Sequence, residues 1–214
     1  MAALSDRRGE RTAVIACGAL AREVLALKRL NGWSHMELQC LPADLHNTPA
    51  KIPEAVRRKI RAARGRFERI LVLYGDCGTA GALDAVLEAE GVERIAGPHC
   101  YAFFAGQDVF DACQEAEPGT FYLTDFLARQ FDAIVIRSLG LDRHPELAPL
   151  YFGNYRRLLY LSQADDPALL QAAREAARRL DLAFEHRATG YGELAPFLES
   201  ALHRAPDGAA RLPA

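Results

Sequence analysis

The stretch RILVLYGDCGTAGALDAVLEAEG, Arg69 to Gly91, reads as a strand that empties through a glycine-rich turn into a helix. The run Arg69 to Tyr74 is short, apolar and β-branched, as a strand buried on both faces must be. The helix that follows ends at Gly91, a residue that adopts the left-handed conformation closing many helices. A strand, a tight turn and a returning helix form half of a right-handed crossover unit.

The same unit recurs on both sides. TAVIAC (Thr12 to Cys17) is a buried strand, and GALAREVLALKRLNG follows it with apolar residues at Leu20, Val24, Leu27 and Leu30 and a terminating Gly32. MELQCL (Met36 to Leu41) is a second strand, and Pro53 sits in the first turn of the next helix, where its missing N–H costs nothing. ERIAG is a short fourth strand, and AFFAGQDVFDACQEAE is largely helical. TFYLT (Thr120 to Thr124) is the fifth strand, with Thr124 able to cap a helix starting near Asp125. AIVIRS fits a strand or a buried helix, and the helix is the better reading. RRLLYLSQ is a strand, DDPALLQAAREAARRL a helix capped by Asp166 with Pro167 first, LAFEHR a strand, and a last helix runs from about Gly192 to His203.

Such alternation predicts an α/β fold, a single domain with a doubly wound, mainly parallel sheet and helices on both faces, Rossmann-like in outline. The expected bounds are an unstructured leader over 1–11, the domain over 12–204 and an unstructured tail over 205–214. No repeat, low-complexity block or linker divides the chain.

The bulk properties narrow the function classes. A chain of 214 residues with a formal net charge of -2 gives no general reason to expect nucleic acid or an anionic membrane as partner. The basic run RRKIRAARGRFER (Arg57 to Arg69) has helical spacing and reads as a solvated helix face. No apolar run is long enough to span a bilayer and the first residues lack a signal-peptide core, so a cytoplasmic location is the expectation. Five cysteines are an odd number without a disulfide framework, which leaves free thiols, metal ligands or reactive groups.

The unusual residues fall directly after the strands: Cys17-Gly18 after the first, Asp44, His46 and Asn47 after the second, Gly75-Asp76-Cys77-Gly78 after the third, His99-Cys100 after the fourth, and Thr124-Asp125 after the fifth. In an open parallel sheet these strand ends share one edge, where ligands bind. Glycines at 75, 78 and 81 would let backbone N–H groups form an anion-binding nest, although the spacing matches neither nucleotide-binding glycine motif. Cys17 and Cys77 would stand at helix N-termini, which favours thiolate.

Taken singly, each residue has a plainer role. A cysteine ending a strand is often a small apolar side chain, and a lone histidine can simply bond a carbonyl. Cys40 and Cys113, inside a strand and a helix, read as structural. The convergence of Cys17, Cys77 and Cys100 is the signal. Three sulfur ligands select zinc or an iron–sulfur cluster over magnesium or calcium, with His46 or His99 as a fourth ligand. Glu23 and Asp76 would orient ligands or move protons, Cys77 would sit closest to the chemistry, and Gly75, Gly78 and Asn47 would approach a bound cofactor. A metal-free thiol nucleophile, Cys77 with His99 as base, uses the same inventory. The segment LGLDRHPELAPLYFGNYRR, Leu139 to Arg157, is either a lid or subunit contact or, the better reading, a loop packed on the sheet.

The pieces ACGALARE, LHNTP, YGDCG, PHCYAFFAG and EPGTFYLTDF, over roughly residues 16 to 126, resemble an uncharacterised family of bacterial and archaeal proteins known only as a domain of unknown function. GLDRHPEL and YFGNYRRLLYLSQ resemble one branch of it. The family's motif positions fall on Cys17, Glu23, His46, Asn47, Tyr74, Gly75, Cys77, Gly78, His99, Cys100 and Gly106. Many members read His-Asp-Cys where this chain has His99-Cys100, which shifts the histidine relative to the cysteine. Members are often encoded near corrinoid proteins and methyltransferases of one-carbon metabolism. The resemblance therefore implies a role around methyl transfer, or an accessory protein that binds a corrinoid protein or its cofactor. Partners are expected to be a small-molecule substrate or that protein.

Overall fold

The computed structural model of the protein describes residues 10–203, so the expectations for the first nine residues and for the tail after 203 lie outside the described residues. Arg11, placed in the leader by the sequence, is tied down: its N–H donates to the Glu68 carboxylate at 2.9 Å and its carbonyl accepts from Glu68 N at 2.9 Å.

The chain begins with β1 (Thr12–Cys17), every residue of which is buried. A single 3₁₀ turn over Gly18–Leu20 leads into α1 (Ala21–Asn31), closed by Gly32 at φ 64°. Then come β2 (Met36–Leu41), α2 (Ile52–Ala63), β3 (Arg69–Leu73), α3 (Ala82–Glu90), closed by Gly91, and the two-residue β4 (Glu93–Arg94). α2 buries Ile52, Val56, Ile60 and Ala63, with its arginines outside that stripe, as the solvated-face reading of the basic run requires.

α4 (Cys100–Ala105) and α5 (Gln107–Ala116) follow, the expected single helical stretch being broken at Gly106. β5 (Thr120–Thr124) runs into α6 (Asp125–Arg129), capped by the Thr124 hydroxyl. The ambiguous AIVIRS segment is helical, in a π-helical turn over Asp132–Arg137. α7 (Ala148–Phe152), β6 (Arg157–Ser162), α8 (Pro167–Arg179), β7 (Ala183–Ala188) and α9 (Leu194–His203) complete the chain. Asp166 caps α8 by accepting from Ala168 N and Leu169 N.

Every strand pair is parallel, and the α/β class stands. The strands divide between two sheets, however, ordered β2-β1-β3-β4 and β5-β6-β7, where the sequence suggested one. The break falls at β4. Two residues cannot template a further strand, and the chain turns away through Gly97 and Pro98 into α4. In the first sheet, order reverses between β1 and β3, since the chain moves outward from β1 to β2 and then crosses back. That reversal opens a crevice at the carboxyl ends of these strands.

Each sheet has its own core. The first gathers Val14, Ile15, Leu71, Val72 and Leu83, and the second Leu123, Phe131, Leu158, Tyr160 and Ala173. A third cluster, Ala102 and Phe110 with Tyr122, Leu159 and Leu161, packs α4 and α5 on the second sheet while Phe103 and Phe104 enter the first core. α9 returns to the first core with Leu194, Leu198 and Ala201, all fully buried. Within the 139–157 segment, Leu139, Leu141, Leu147, Phe152 and Tyr155 pack into the second core, in keeping with the packed-loop reading. No helix among the described residues is long and apolar enough to cross a membrane.

Candidate functional site

The register aligns the carboxyl ends of the first sheet: Ala16 of β1 lies opposite both Cys40 of β2 and Leu73 of β3. Cys17, the turn after β2 and Tyr74 to Cys77 therefore start at one level, on the crevice side. Gly18 lets the turns after β1 and β2 meet, because a Cβ there would stand 3.0 Å from the Leu41 carbonyl oxygen and 3.5 Å from Ala43 N. This contact brings His46, on the 3₁₀ turn Ala43–Asn47, to Cys17, with Nδ1 3.8 Å from Sγ. Asn47 is exposed at the end of that turn.

A second pair of loops is stitched together by backbone. Asp76 N donates to the Gly97 carbonyl at 3.0 Å and Cys77 N to the Pro98 carbonyl at 2.8 Å. Only glycine fits at 75, where a Cβ would meet His99 N at 2.9 Å and His99 Cα at 3.0 Å. The stitching carries His99 and Cys100, the cap and first residue of α4, to the side of Cys77. Cys77 itself has φ 50°, a left-handed backbone rare for a side-chain-bearing residue.

The sequence expected a nest of free amides after β3, and the nest is filled by the chain itself. The Asp76 carboxylate accepts from Gly81 N at 2.9 Å, Ala80 N at 3.2 Å and the Thr79 hydroxyl at 2.8 Å. These bonds, the Gly81 amide first, hold the Asp76 carboxyl below its ordinary pKa. With Asp76 and Cys77 N also committed, the turn offers an outside anion little.

Among Cys17, Cys77 and Cys100, charge on Cys17 raises the pKa of Cys77, and charge on either raises Cys100; Cys40 of β2 in turn raises Cys17 and so borders the cluster, while Cys113 stands in α5. The expectation of thiolates is corrected. Burial raises all three thiols, Cys77 to about 12, and outweighs the Gly75 amide bond that lowers Cys77 and the Ala19 amide bond, at 3.4 Å, that lowers Cys17. The dipole argument fails because Cys17 caps only a three-residue turn and Cys77 precedes α3 by several residues. Burial likewise lowers His46 and His99, with His99 adding to the effect on His46.

Tyr74, fully buried, lies beside Cys17 and its hydroxyl makes no well-formed hydrogen bond among the described residues. Burial and the neighbouring cysteine push this phenol up. Glu23 of α1 is buried, with its carboxyl raised by burial and, less, by Asp125; it is also near enough to raise Cys100. Asp125, at the end of β5, accepts from Tyr160 Oη at 2.7 Å, Gln163 N at 3.1 Å and Ala164 N at 3.0 Å. Among the described residues no three His, Cys, Asp or Glu side chains stand at metal-ligand spacing. The Cys17–His46 pair does. Bond lengths of ~2.3 Å to sulfur and ~2.05 Å to nitrogen put tetrahedral zinc ligands about 3.6 Å apart, against 3.8 Å here.

The sequence reading missed Gln163 and Arg129 altogether and named Tyr74 only as a motif position. Arg129 gives no local signal, since it gains meaning only through α6 packing on the turn after β1. The model of a family described as protein of unknown function (DUF1638) matches residues 40–207. The match takes in His46, Cys77, His99 and Cys100 and starts after Cys17 and Glu23. No curated protein matches the chain.

Proposed function

The chain belongs to the DUF1638 family, and within it we propose a soft-metal protein whose centre is zinc held by Cys17, Cys77 and Cys100 with His46 as fourth ligand. The observation that carries this reading is the Cys17–His46 pair at 3.8 Å, at the reversal point of the first sheet, with both other sulfurs within electrostatic reach. Cys77 and Cys100 would complete the donor set with Cys17 and His46, each as thiolate, the form in which a thiol coordinates.

When bound, the metal supplies Lewis acidity and a place to hold a thiol or other soft substrate group. The chain supplies the rest. Tyr74 presents a neutral hydroxyl to the sulfur of Cys17, and Gly75 holds the Cys77 and Cys100 loops together. Burial of Cys17 and Cys77 keeps water from their sulfurs. His99, beside the cluster but uncommitted, is positioned to move a proton. Methyl transfer, which the family resemblance implies, is a reaction this donor set serves.

Elemental analysis of anaerobically purified protein tests the proposal. About one zinc per chain is expected, falling at least tenfold in Cys77→Ser and in His46→Gln and unchanged in Cys113→Ser. Metal-free wild-type protein, or a metal content indifferent to Cys77→Ser, overturns it. Iron with acid-labile sulfide would keep the ligands and overturn the zinc assignment.

A further inference from the structure

Between α1 and the carboxyl ends of β5 and β6 lies a cavity of about 340 Å³, lined among others by Arg22, Glu23, Arg29, Asp125, Arg129 and Gln163. That volume is at the small end of the range for small-molecule sites. None of its lining residues is a cysteine or histidine, so it is distinct from the thiol cluster and does not depend on the metal.

Two of the lining side chains are unsatisfied. Glu23 is 5 % exposed and its Oε2 is buried without a hydrogen-bond partner among the described residues; the same is true of Arg129 Nη1. A buried polar atom left unpaired costs about 1–3 kcal/mol, and more when charged. The neighbouring groups cannot relieve them. Asp125 Oδ1 already accepts from Tyr160 and Gln163 N, and Oδ2 accepts from Ala164 N. Gln163 donates to the Leu161 carbonyl at 2.7 Å and accepts from Asp125 N at 2.8 Å. The nearest approach of Arg129 to Asp125 is 3.7 Å, through Nη2, too long for a hydrogen bond.

Charge decides what could satisfy them. Arg22, Arg29 and Arg129 share the lining with Asp125 and with Glu23, whose burial disfavours its anion. The cavity is left with a cationic excess. Two unmet positions in one lining suit the two oxygens of a planar carboxylate, one accepting from the Arg129 guanidinium and the other meeting the Glu23 carboxyl through a shared proton. A phosphate would bring a second negative charge beside the carboxyls of Asp125 and Glu23.

We propose that this cavity binds a small organic carboxylate, one oxygen accepting from Arg129 Nη1 and the other sharing one proton with Glu23 Oε2, with Arg22 and Arg29 drawing it in from the rim. Glu23 lies close enough to Cys100 to perturb it, so the bound acid would sit beside the thiol cluster.

The full-length chain is titrated with acetate, malonate and succinate, and in parallel with inorganic phosphate, by calorimetry and thermal melting at constant ionic strength. At least one carboxylate is expected to bind saturably and raise Tm. Arg129→Gln should weaken that binding tenfold or more, the exposed Arg22→Gln severalfold, and Arg61→Gln on α2 not at all. If Arg129→Gln does not fold, Arg22→Gln decides. No saturable carboxylate binding, phosphate binding alone, or binding indifferent to both Arg129→Gln and Arg22→Gln overturns the proposal. Cys77→Ser keeps its carboxylate affinity, so failure of the metal reading is told apart from failure of this one.

Discussion

The carboxylate of Asp76 occupies the position that an external anion would take in the turn after β3, and Gly75 presses that turn against the one before α4. Local spacing revealed the glycines and the cysteine, but not that the Asp76 side chain would fill the nest, because an aspartate bonding a hydroxyl three residues ahead and amides four and five ahead looks like any polar loop residue. The direction of the thiol titrations was illegible for a similar reason. Helix dipoles can be read from sequence, while desolvation is known only once neighbouring loops have closed over the sulfur. The tightness at Gly75 makes a sharp prediction. Gly75→Ala drives a methyl into the His99 backbone and should cost about 1–3 kcal/mol of unfolding free energy, measured by urea denaturation. It should also move the amide resonances of 97–100 more than those of the second sheet.

Among the elements, those whose ends are set by nearby residues were read correctly. Thr124, Asp166, Gly32 and Gly91 terminate or cap the helices the sequence assigned to them, each acting within a few residues. Gly106, which splits α4 from α5, was read through, since one glycine inside an apolar periodic stretch does not force a break. β4 is short but anchored. Arg94 makes two hydrogen bonds to Asp84 of α3, at 2.6 and 2.9 Å, and a third to the Ile95 carbonyl at 2.9 Å. The guanidinium holds the Asp84 carboxyl below its ordinary pKa. A carboxyl depressed in the folded state stabilises above its unfolded value, near 3.9, and that stability is lost as pH falls through the lower folded value. Asp84→Asn should therefore lower stability at pH 7, by at most about 1 kcal/mol because Asp84 is half exposed. The gap between variant and parent should shrink below pH 4 in thermal melts.

At the level of the molecule, parallel α/β character followed from alternation alone, whereas the split into two sheets did not. Pairing partners lie far apart in sequence, and each strand's pattern is the same whichever sheet it joins. The carboxylate cavity escaped the sequence for the same reason: Arg22 and Arg129 come from different halves of the chain and are neighbours only in three dimensions. Those halves are interlocked by α9, which follows the second sheet in sequence and completes the core of the first. Calorimetry should accordingly give one transition with equal calorimetric and van't Hoff enthalpies. Leu198→Ala, removing a fully buried side chain, should lower stability by about 2–5 kcal/mol and melt both sheets together.

This late return of the chain also bears on biosynthesis. When a ribosome has finished β4, the apolar face that Leu194, Leu198 and Ala201 will cover is still bare. At about 5–20 residues per second, the roughly 100 residues still to come occupy about 5–20 s. For that interval the nascent first half carries a sticky surface with its own lid untranslated, and a chaperone that shields it until synthesis ends would raise the yield of folded protein more than one acting afterwards.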